Sequence, residues 1–301
     1  MKYTFILPAY KTHFLRESIR SILDQTVRDF EILVSDDASP EPVKAMVDEF
    51  KDSRISYGRN AVNIGSKRLV DHWNQILDKA AGDFVIVASD DDLYAPDFLE
   101  KIGHLAEKYP GTDVFAGRCK EIDSDGREIR TEVRHPEFMS QAELLADLPS
   151  PENILCIGSC VFRTSALRKA GGFVQMPYAW KSDSATRLMM AKNGIACTDE
   201  PVFSFRMSGE NISSGKVNPE MCKGKIKAAL EFKKWMDANL GGLPYGNILK
   251  RLEGETRSYY QVLSPVEFCK LYRTLSSDGW FRSMRNRVSF AAYYLRKKLF
   301  S

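Results

Sequence analysis

The stretch Phe84-Val85-Ile86-Val87-Ala88-Ser89-Asp90-Asp91-Asp92 decides the fold. Its first five residues are continuously apolar, as expected of a strand that is buried on both faces of a parallel sheet. Three adjacent carboxylates follow where this strand is predicted to end. In open α/β sheets, ligands bind beyond the carboxyl ends of the strands. This stretch therefore predicts both a central strand and a polar site at its end.

Outward from this stretch, strand patterns alternate with amphipathic helix patterns. Strands are predicted at 3–9, 30–35, 54–57 and 84–88, and helices at 14–23, 40–50, 66–80 and 96–109, with Thr12 as the cap of the first helix. The alternation predicts an α/β fold with a mostly parallel central sheet covered on both faces. Beyond residue 115 we expect a hairpin turn at 123–126, helices at 141–148 and 182–192, strands at 160–163 and 196–205, and a helical region from 219 onward.

Composition limits the class of protein and suggests where partners bind. The chain has 301 residues, 44% apolar and 28% charged, which excludes disordered and fibrous classes. Up to residue 213 it carries 26 basic and 33 acidic residues, and after it 17 basic and 7 acidic. The basic second part predicts contact with an anionic partner. No apolar run is long enough for a membrane span, no signal peptide is evident, and the six cysteines and four histidines lack zinc-site spacing, so we expect a cytoplasmic protein with reduced thiols.

Three acidic features follow predicted strands or open a predicted helix. Asp36-Asp37 ends the second strand, where turn chemistry is an equally good interpretation. Asp90-Asp91-Asp92 favours a site over a solvated turn, because three adjacent carboxylates repel one another unless a cation offsets their charge. Mg²⁺ or Mn²⁺ uses one or two carboxylates together with substrate phosphate oxygens. Asp183 could simply cap the helix that begins beside it.

The order of these features resembles the family-2 glycosyltransferases, which are inverting enzymes of the GT-A (Rossmann-like) fold that use nucleotide-diphosphate sugars. The matching segments are Phe5-Ile6-Leu7-Pro8-Ala9-Tyr10, Ser21-Ile22-Leu23-Asp24-Gln25-Thr26, Phe30 to Ser39, Asn63-Ile64-Gly65, Ala81 to Phe84 leading into Asp90 to Asp97, Gly171-Gly172-Phe173, Ser182-Asp183, and Phe205-Arg206 with Asn211-Ile212-Ser213. The resemblance covers about residues 1–213, and we interpret these as a catalytic domain followed by a helical basic region at 214–301.

The resemblance implies a role for nine residues. Nucleotide-sugar contacts are expected from Pro8, Tyr10, Asp37, Lys67, Arg68, Asp90 and Arg206, with the base, usually uracil, donating to Asp37. A surface ion pair with Glu210 is an equally good interpretation of Arg206. The family's Asp-x-Asp falls on Ser89-Asp90-Asp91, so Asp91 is the expected ligand of Mn²⁺ or Mg²⁺. The family's Glu-Asp falls on Ser182-Asp183, which makes Asp183 the expected general base.

The implied activity is transfer of a sugar, with UDP-sugar as the expected donor, to a glycan or lipid-linked hydroxyl in surface polysaccharide biosynthesis. The last segment, 280–301, has six basic and no acidic residues among its aromatics, so it is either a surface for anionic lipid at the inner face of the plasma membrane or a packed terminal helix. Nucleic acid is not expected as a partner. The alternatives are a non-catalytic glycan-binding or scaffold protein on a transferase fold, suggested by Ser89 and Ser182, and a nucleotidyltransferase.

Overall fold

The computed structural model describes residues 1–154, 156–209, 218–275 and 278–280. The strands are β1 (Tyr3–Ala9), β2 (Phe30–Asp36), β3 (Ile55–Arg59), β4 (Phe84–Val87), β5 (Leu93–Tyr94), β6 (Val114–Ile122), β7 (Glu128–Thr131), β8 (Phe138–Met139), β9 (Cys160–Arg163) and β10 (Ile195–Arg206). The α-helices are α1 (Leu15–Leu23), α2 (Val43–Asp48), α3 (Leu69–Leu77), α4 (Phe98–Lys108), α5 (Gln141–Asp147), α6 (Thr164–Lys169), α7 (Ser182–Met190), α8 (Pro219–Asn239), α9 (Gly246–Tyr260) and α10 (Pro265–Leu275). Short 3-10 turns are Ser66–Arg68, Pro177–Ala179 and Ala191–Asn193.

One mixed sheet organises the chain, in the order β3-β2-β1-β4-β9-β6-β10-β5, with β7 on β6 and β8 on β10. The pairings β1–β2, β2–β3, β1–β4 and β6–β10 are parallel, whereas β9 runs antiparallel between β4 and β6. Strands β1, β2, β3, β4, β6 and β10 therefore all point in one direction. Their carboxyl ends meet at one edge of the sheet, which confirms the α/β class and the mostly parallel sheet.

Two hydrophobic clusters cover the two faces of this sheet. All four side chains of β4 are buried, with Phe84 and Ile86 in one cluster and Val85 and Val87 in the other. Helices α1, α2 and α4 pack on the first face, and α3, α5, α7, α8 and α9 on the second. Burial of both faces explains why the β4 sequence does not alternate between apolar and polar residues.

Most predicted elements are present, but several boundaries were wrong. Thr12 does not cap α1, because its hydroxyl donates to Glu41 at 2.6 Å and no side chain caps that helix. Helix α2 begins at Val43 rather than at 40, since the Asp36 and Ser39 side chains bond backbone N–H groups of the turn before it. The predicted helix at 66–80 starts as a 3-10 turn, and the one at 182–192 ends in another. The hairpin turn at 123–126 is confirmed by the pairing of β6 with β7.

The C-terminal helices α8 and α9 share the main core instead of standing apart from it. Side chains Phe232 and Met236 of α8 and Leu252 of α9 are buried in the cluster that also holds β4 and α7 residues. The division of the chain at residue 213 stays a prediction. The predicted breaks at 241–244 and 264–265 separate α8, α9 and α10 as expected.

Among the described residues, none of the helices combines the length and the hydrophobicity that a bilayer crossing requires. The predicted lipid-binding segment 280–301 lies outside the described residues except for Trp280. The six cysteines are free thiols, of which five are buried and Cys269 is exposed.

Candidate active site

The acidic segment Ser89–Asp92, called here the acidic loop, follows β4 at the carboxyl edge of the sheet. The Asp90 carboxylate accepts hydrogen bonds from the backbone N–H groups of Tyr10 (3.1 Å) and Lys11 (2.9 Å), which follow β1. The Asp92 carboxylate is 4% exposed and accepts from the Ser89 hydroxyl and from the backbone N–H of Arg206 at 2.9 Å. The ends of β1, β4 and β10 are therefore tied together through two of the three aspartates.

The Asp91 carboxylate, unlike those of Asp90 and Asp92, accepts no backbone N–H among the described residues. It accepts a hydrogen bond from the Ser208 hydroxyl at 3.3 Å, and the Ser89 hydroxyl and the charges of Lys11 and Arg206 also stabilise its ionised form. Burial raises the pKa of Asp91, and burial together with the charge of Asp91 raises that of Asp92. Burial also raises the pKa of Asp90, to about 6. This loop concentrates negative charge that neighbouring protein groups do not fully offset, which favours a bound cation.

The loop suits a metal that shares its coordination with a substrate. No group of three or more His, Cys, Asp or Glu side chains arranged to ligate a metal occurs in the part of the chain that the structure describes. Asp90 and Asp92 are already engaged by protein donors. A single carboxylate, that of Asp91, is consistent with Mg²⁺ or Mn²⁺ sites in which substrate phosphate oxygens complete the coordination. Sequence alone did not show that Asp90 and Asp92 have structural hydrogen bonds.

Arg206 lies beneath this loop and is only 1% exposed. Its guanidinium donates from Nε to the Asp91 carbonyl oxygen at 2.8 Å and from Nη2 to Glu17 at 2.7 Å, and it stacks over the Phe14 ring at 4.2 Å. Arg206 is therefore buried rather than on the surface, and Glu210, its alternative ion-pair partner, lies outside the described residues. Its contact to a diphosphate stays a prediction, and in this structure Arg206 supports the backbone that carries Asp91.

Asp37 lies just beyond β2, 7% exposed, and organises the loop 60–65. One carboxylate oxygen accepts from Asn60 (2.9 Å) and the Ile64 N–H (2.8 Å), and the other from Asn63 (3.0 Å) and the Gly65 N–H (2.9 Å). Burial opposes ionisation, but these hydrogen bonds outweigh it and lower the pKa of Asp37. A carboxylate has about four acceptor positions. A base that donates to Asp37, as the resemblance implies, would thus replace one of these bonds.

The other residues predicted to contact the nucleotide sugar lie around the same edge of the sheet. Pro8 pairs with Ser35 within the β1–β2 ladder, and Tyr10, 43% exposed, follows β1. Lys67 and Arg68 lie exposed in the 3-10 turn that follows the loop 60–65. Lys67 Nζ is 2.6 Å from Glu220 of α8. Arg68 pairs with Asp71. Both cations are accessible to a phosphate, but each already has a carboxylate partner.

Asp183 lies in the first turn of α7, a helix that packs on the same face of the sheet as α8. Its carboxylate accepts from the backbone N–H of Ser184 at 2.7 Å, while the N-cap residue is Lys181. No hydrogen bond or ion pair joins Asp183 to the acidic loop within the described ranges. Tyr178, which precedes this helix, is 8% exposed. The Lys225 ammonium lies 3.8 Å from the centre of the Trp180 ring, so both aromatic side chains serve in packing.

Two solved structures have a similar fold. S. aureus TarS 1–349 in complex with UDP gives a TM-score of 0.61 at 17% identity, covering 87% of this chain and 72% of that one. A mannosyltransferase from Pyrobaculum calidifontis, PcManGT, in complex with GDP-Man and Mn²⁺, gives a TM-score of 0.54 at 16% identity, covering 98% of this chain and 85% of that one. At these identities the likeness concerns the fold.

Sequence relatives match about half of the chain. EpsE of Bacillus subtilis, named as a glycosyltransferase, is 30% identical over 165 residues, which are 53% of this chain and 55% of EpsE. The GalNAc(5)-diNAcBac-PP-undecaprenol beta-1,3-glucosyltransferase of Campylobacter jejuni is 30% identical over 151 residues, 46% of this chain and 47% of that protein. The chain thus spans about half the length of these relatives. The profile described as glycosyl transferase family 2 matches residues 4–171, more than half of the chain. Together with the sheet order and the acidic loop at its edge, this match establishes that the chain belongs to glycosyl transferase family 2.

Proposed function

We propose that this protein is an inverting glycosyltransferase that transfers a sugar from a nucleotide-diphosphate donor, a UDP-sugar, to a hydroxyl of a glycan or lipid-linked acceptor. The observation that carries the proposal is the acidic loop. Asp90 and Asp92 accept hydrogen bonds from backbone N–H groups at neighbouring strand ends. Asp91 retains acceptor capacity at the carboxyl edge of the sheet, where a nucleotide-sugar donor is expected to bind in this family and fold.

In the proposed reaction Asp91 would hold a divalent metal, Mn²⁺ or Mg²⁺, which would supply charge compensation for the leaving diphosphate. Asp90 fixes the Tyr10–Lys11 backbone beside the donor, and Arg206 holds the Asp91 carbonyl in place. The exposed Lys67 and Arg68 side chains are proposed to contact the diphosphate once it competes with Glu220 and Asp71.

The proposed role of Asp183 is to accept the acceptor's hydroxyl proton. The acceptor oxygen then forms a bond to the anomeric carbon while the bond from that carbon to the diphosphate oxygen breaks, and UDP leaves with the electron pair. Attack from the side opposite the leaving group inverts the anomeric centre, so an α-linked donor gives a β-linked product. The Ser184 N–H donates a hydrogen bond to the Asp183 carboxylate at 2.7 Å and so helps to fix its orientation.

The proposed setting is surface polysaccharide biosynthesis on the cytoplasmic side of the plasma membrane, with the basic segment 280–301 on anionic lipid. The name of the Campylobacter jejuni relative specifies a diphosphoundecaprenol-linked acceptor, which supports a lipid-linked acceptor here. UDP in the TarS structure supports a UDP-sugar, whereas GDP-Man in PcManGT makes GDP-sugars the necessary comparison.

Binding of the donor and the metal is tested by measuring the thermal stability of the protein with UDP- and GDP-sugars, each with and without Mn²⁺. Ligand that binds the native state raises its apparent stability, by about 2.7 kcal/mol at a hundredfold excess over Kd. We expect a Mn²⁺-dependent rise with one UDP-sugar, its loss in Asp91→Ala, and its retention in Asp48→Ala, an exposed helix aspartate paired with Lys44. No rise with any donor would favour the non-catalytic glycan-binding alternative.

The test of the reaction is UDP release from the donor so identified, with Asp183→Asn beside wild type. Loss of a general base lowers turnover by about 10²- to 10⁴-fold. We expect that loss with the donor-induced stability rise unchanged. Unchanged turnover in Asp183→Asn would reject the proposed base, and pyrophosphate release from UTP and a sugar phosphate would instead indicate a nucleotidyltransferase.

A further inference from the structure

The segment Pro177–Lys181, called here the base loop, leads directly into the helix that carries Asp183. Three of its residues that are not glycine have left-handed backbone angles: Tyr178 at φ 59°, Ala179 at φ 53° and Lys181 at φ 72°. Side chains with a Cβ rarely adopt this region because the Cβ approaches the backbone carbonyl oxygen. Such conformations persist only where surrounding contacts hold them, and they concentrate at functional sites.

The C-terminal helices supply these contacts to the base loop. The ring of Tyr178 packs directly on Gly224 of α8, where a Cβ would lie only 2.1 Å from Tyr178 Cε2. Hence only glycine leaves room for the ring at this position. Tyr178 is 8% exposed, so little free space surrounds its side chain.

Trp180 and Lys181, the last two residues of the base loop, are held by charge. The ammonium of Lys225 in α8 lies 3.8 Å from the centre of the Trp180 ring, and the Tyr259 ring of α9 meets Trp180 edge-on at 6.1 Å. Lys225 is 2% exposed, so this cation–π contact is desolvated and correspondingly strong. Lys181 Nζ lies 2.9 Å from Glu255 of α9, a pair in which both side chains are largely buried.

We propose that Gly224, Lys225 and Glu255 are positioning residues that hold the base loop in its left-handed conformation and thereby set the direction of Asp183. This inference rests on the proposed role of Asp183 as base. All of these residues lie after residue 171, where the family match ends, so the device belongs to the C-terminal part of this chain. Through these three residues the C-terminal helices then act on the chemical step.

The experiment compares Gly224→Ala and Glu255→Gln with Gly254→Ala, measuring UDP release, the KM of the donor and the Kd of UDP with Mn²⁺. Gly254 is the matched control, since it lies in α9 beside Glu255 and a Cβ there meets no atom within 4 Å. Displacement of a catalytic group by about 1 Å can cost about 100-fold in rate. We expect kcat to fall about 10- to 100-fold in Gly224→Ala and about 5-fold in Glu255→Gln. KM and Kd should stay within about twofold, and Gly254→Ala should behave as wild type.

Glu255→Gln adds no atoms, so it carries the test if Gly224→Ala does not fold. The limb of the kcat–pH profile that reports the base should shift in Glu255→Gln, which a purely structural role would not produce. If Asp183→Asn loses turnover while Glu255→Gln and a folded Gly224→Ala keep wild-type kcat, the positioning role is wrong and the proposed function stands. An equal loss of kcat and UDP binding would also overturn it. If Asp183→Asn is active, the proposed base itself fails.

Discussion

Replacing Arg206 by Met tests whether this buried cation supports the acidic loop. The thioether keeps an apolar stem near the Phe14 ring but removes all guanidinium donors. Those donors bind the Asp91 carbonyl at 2.8 Å, the Ser124 carbonyl at 3.1 Å and the Glu17 carboxylate at 2.7 Å. The backbone N–H bond from residue 206 to Asp92 is retained.

The magnitude follows from these contacts. Each of the two carbonyl groups loses a charged donor, which is worth about 1.5 to 3 kcal/mol. The pair with Glu17, whose side chain is 59% exposed, adds about 1 kcal/mol or less. The free energy of unfolding should therefore fall by about 3 to 7 kcal/mol, a large part of the roughly 5 to 15 kcal/mol typical of a folded protein.

The assay is urea denaturation of Arg206→Met, wild type and Arg16→Met, at one pH and salt concentration. Arg16 is the matched control because its pair with Glu49 is exposed, and its loss should cost about 1 kcal/mol or less. In Arg206→Met the Mn²⁺-dependent donor stabilisation should also weaken, as the Asp91 backbone loses its support. A loss below about 1 kcal/mol, equal to that of the control, would refute the supporting role of Arg206.

Three further predictions concern the surroundings of the site. The carboxylates of Asp147 and Glu132 raise the pKa of His135 from 6.5 to about 9. His135 should therefore add about 3 kcal/mol of stability below pH 6.5, and this stability is lost as the pH rises through 9. The free energies of unfolding of wild type and His135→Gln, measured in urea at pH 6 and pH 9.5, should converge at the higher pH, and a constant difference would contradict this. Asp37→Ala should release the loop 60–65, giving faster amide hydrogen exchange there, and unchanged exchange would show that the carboxylate does not hold it. Gly117→Ala places a Cβ 2.9 Å from the Phe98 ring and should lower stability by about 1 to 3 kcal/mol, measured by thermal unfolding, with unchanged stability excluding a close contact.

Local patterns predicted the fold well because they reflect local physics. The apolar run of β4, the amphipathic faces of α1 and α4 and the turn at 123–126 each depend on a few neighbouring residues. Boundaries failed where a side chain had a distant partner. Thr12 bonds Glu41 rather than its own helix, a contact across 29 positions that no local pattern contains.

The candidate site shows the same division. The sequence indicated which aspartates follow strand ends. It could not show that, of the three adjacent aspartates 90–92, Asp90 and Asp92 accept hydrogen bonds from backbone N–H groups. The supporting role of Arg206 was missed, since its partners on three other segments come together only through the sheet. The packing role of Trp180 likewise depends on Lys225, which follows it by more than forty positions.

The sequence by itself determined the α/β class, the order of strands and helices, and the presence of carboxylates at one edge of the sheet. These properties follow from the periodicity of hydrophobic residues and from the direction of the chain, and both can be determined from the order of residues alone. Only the tertiary structure decided which carboxylate keeps acceptor capacity, which arginine is buried beneath it, and how α8 and α9 hold the loop before Asp183. Burial and hydrogen bonding depend on the distances between segments remote in the chain, and those distances exist only once the chain is folded.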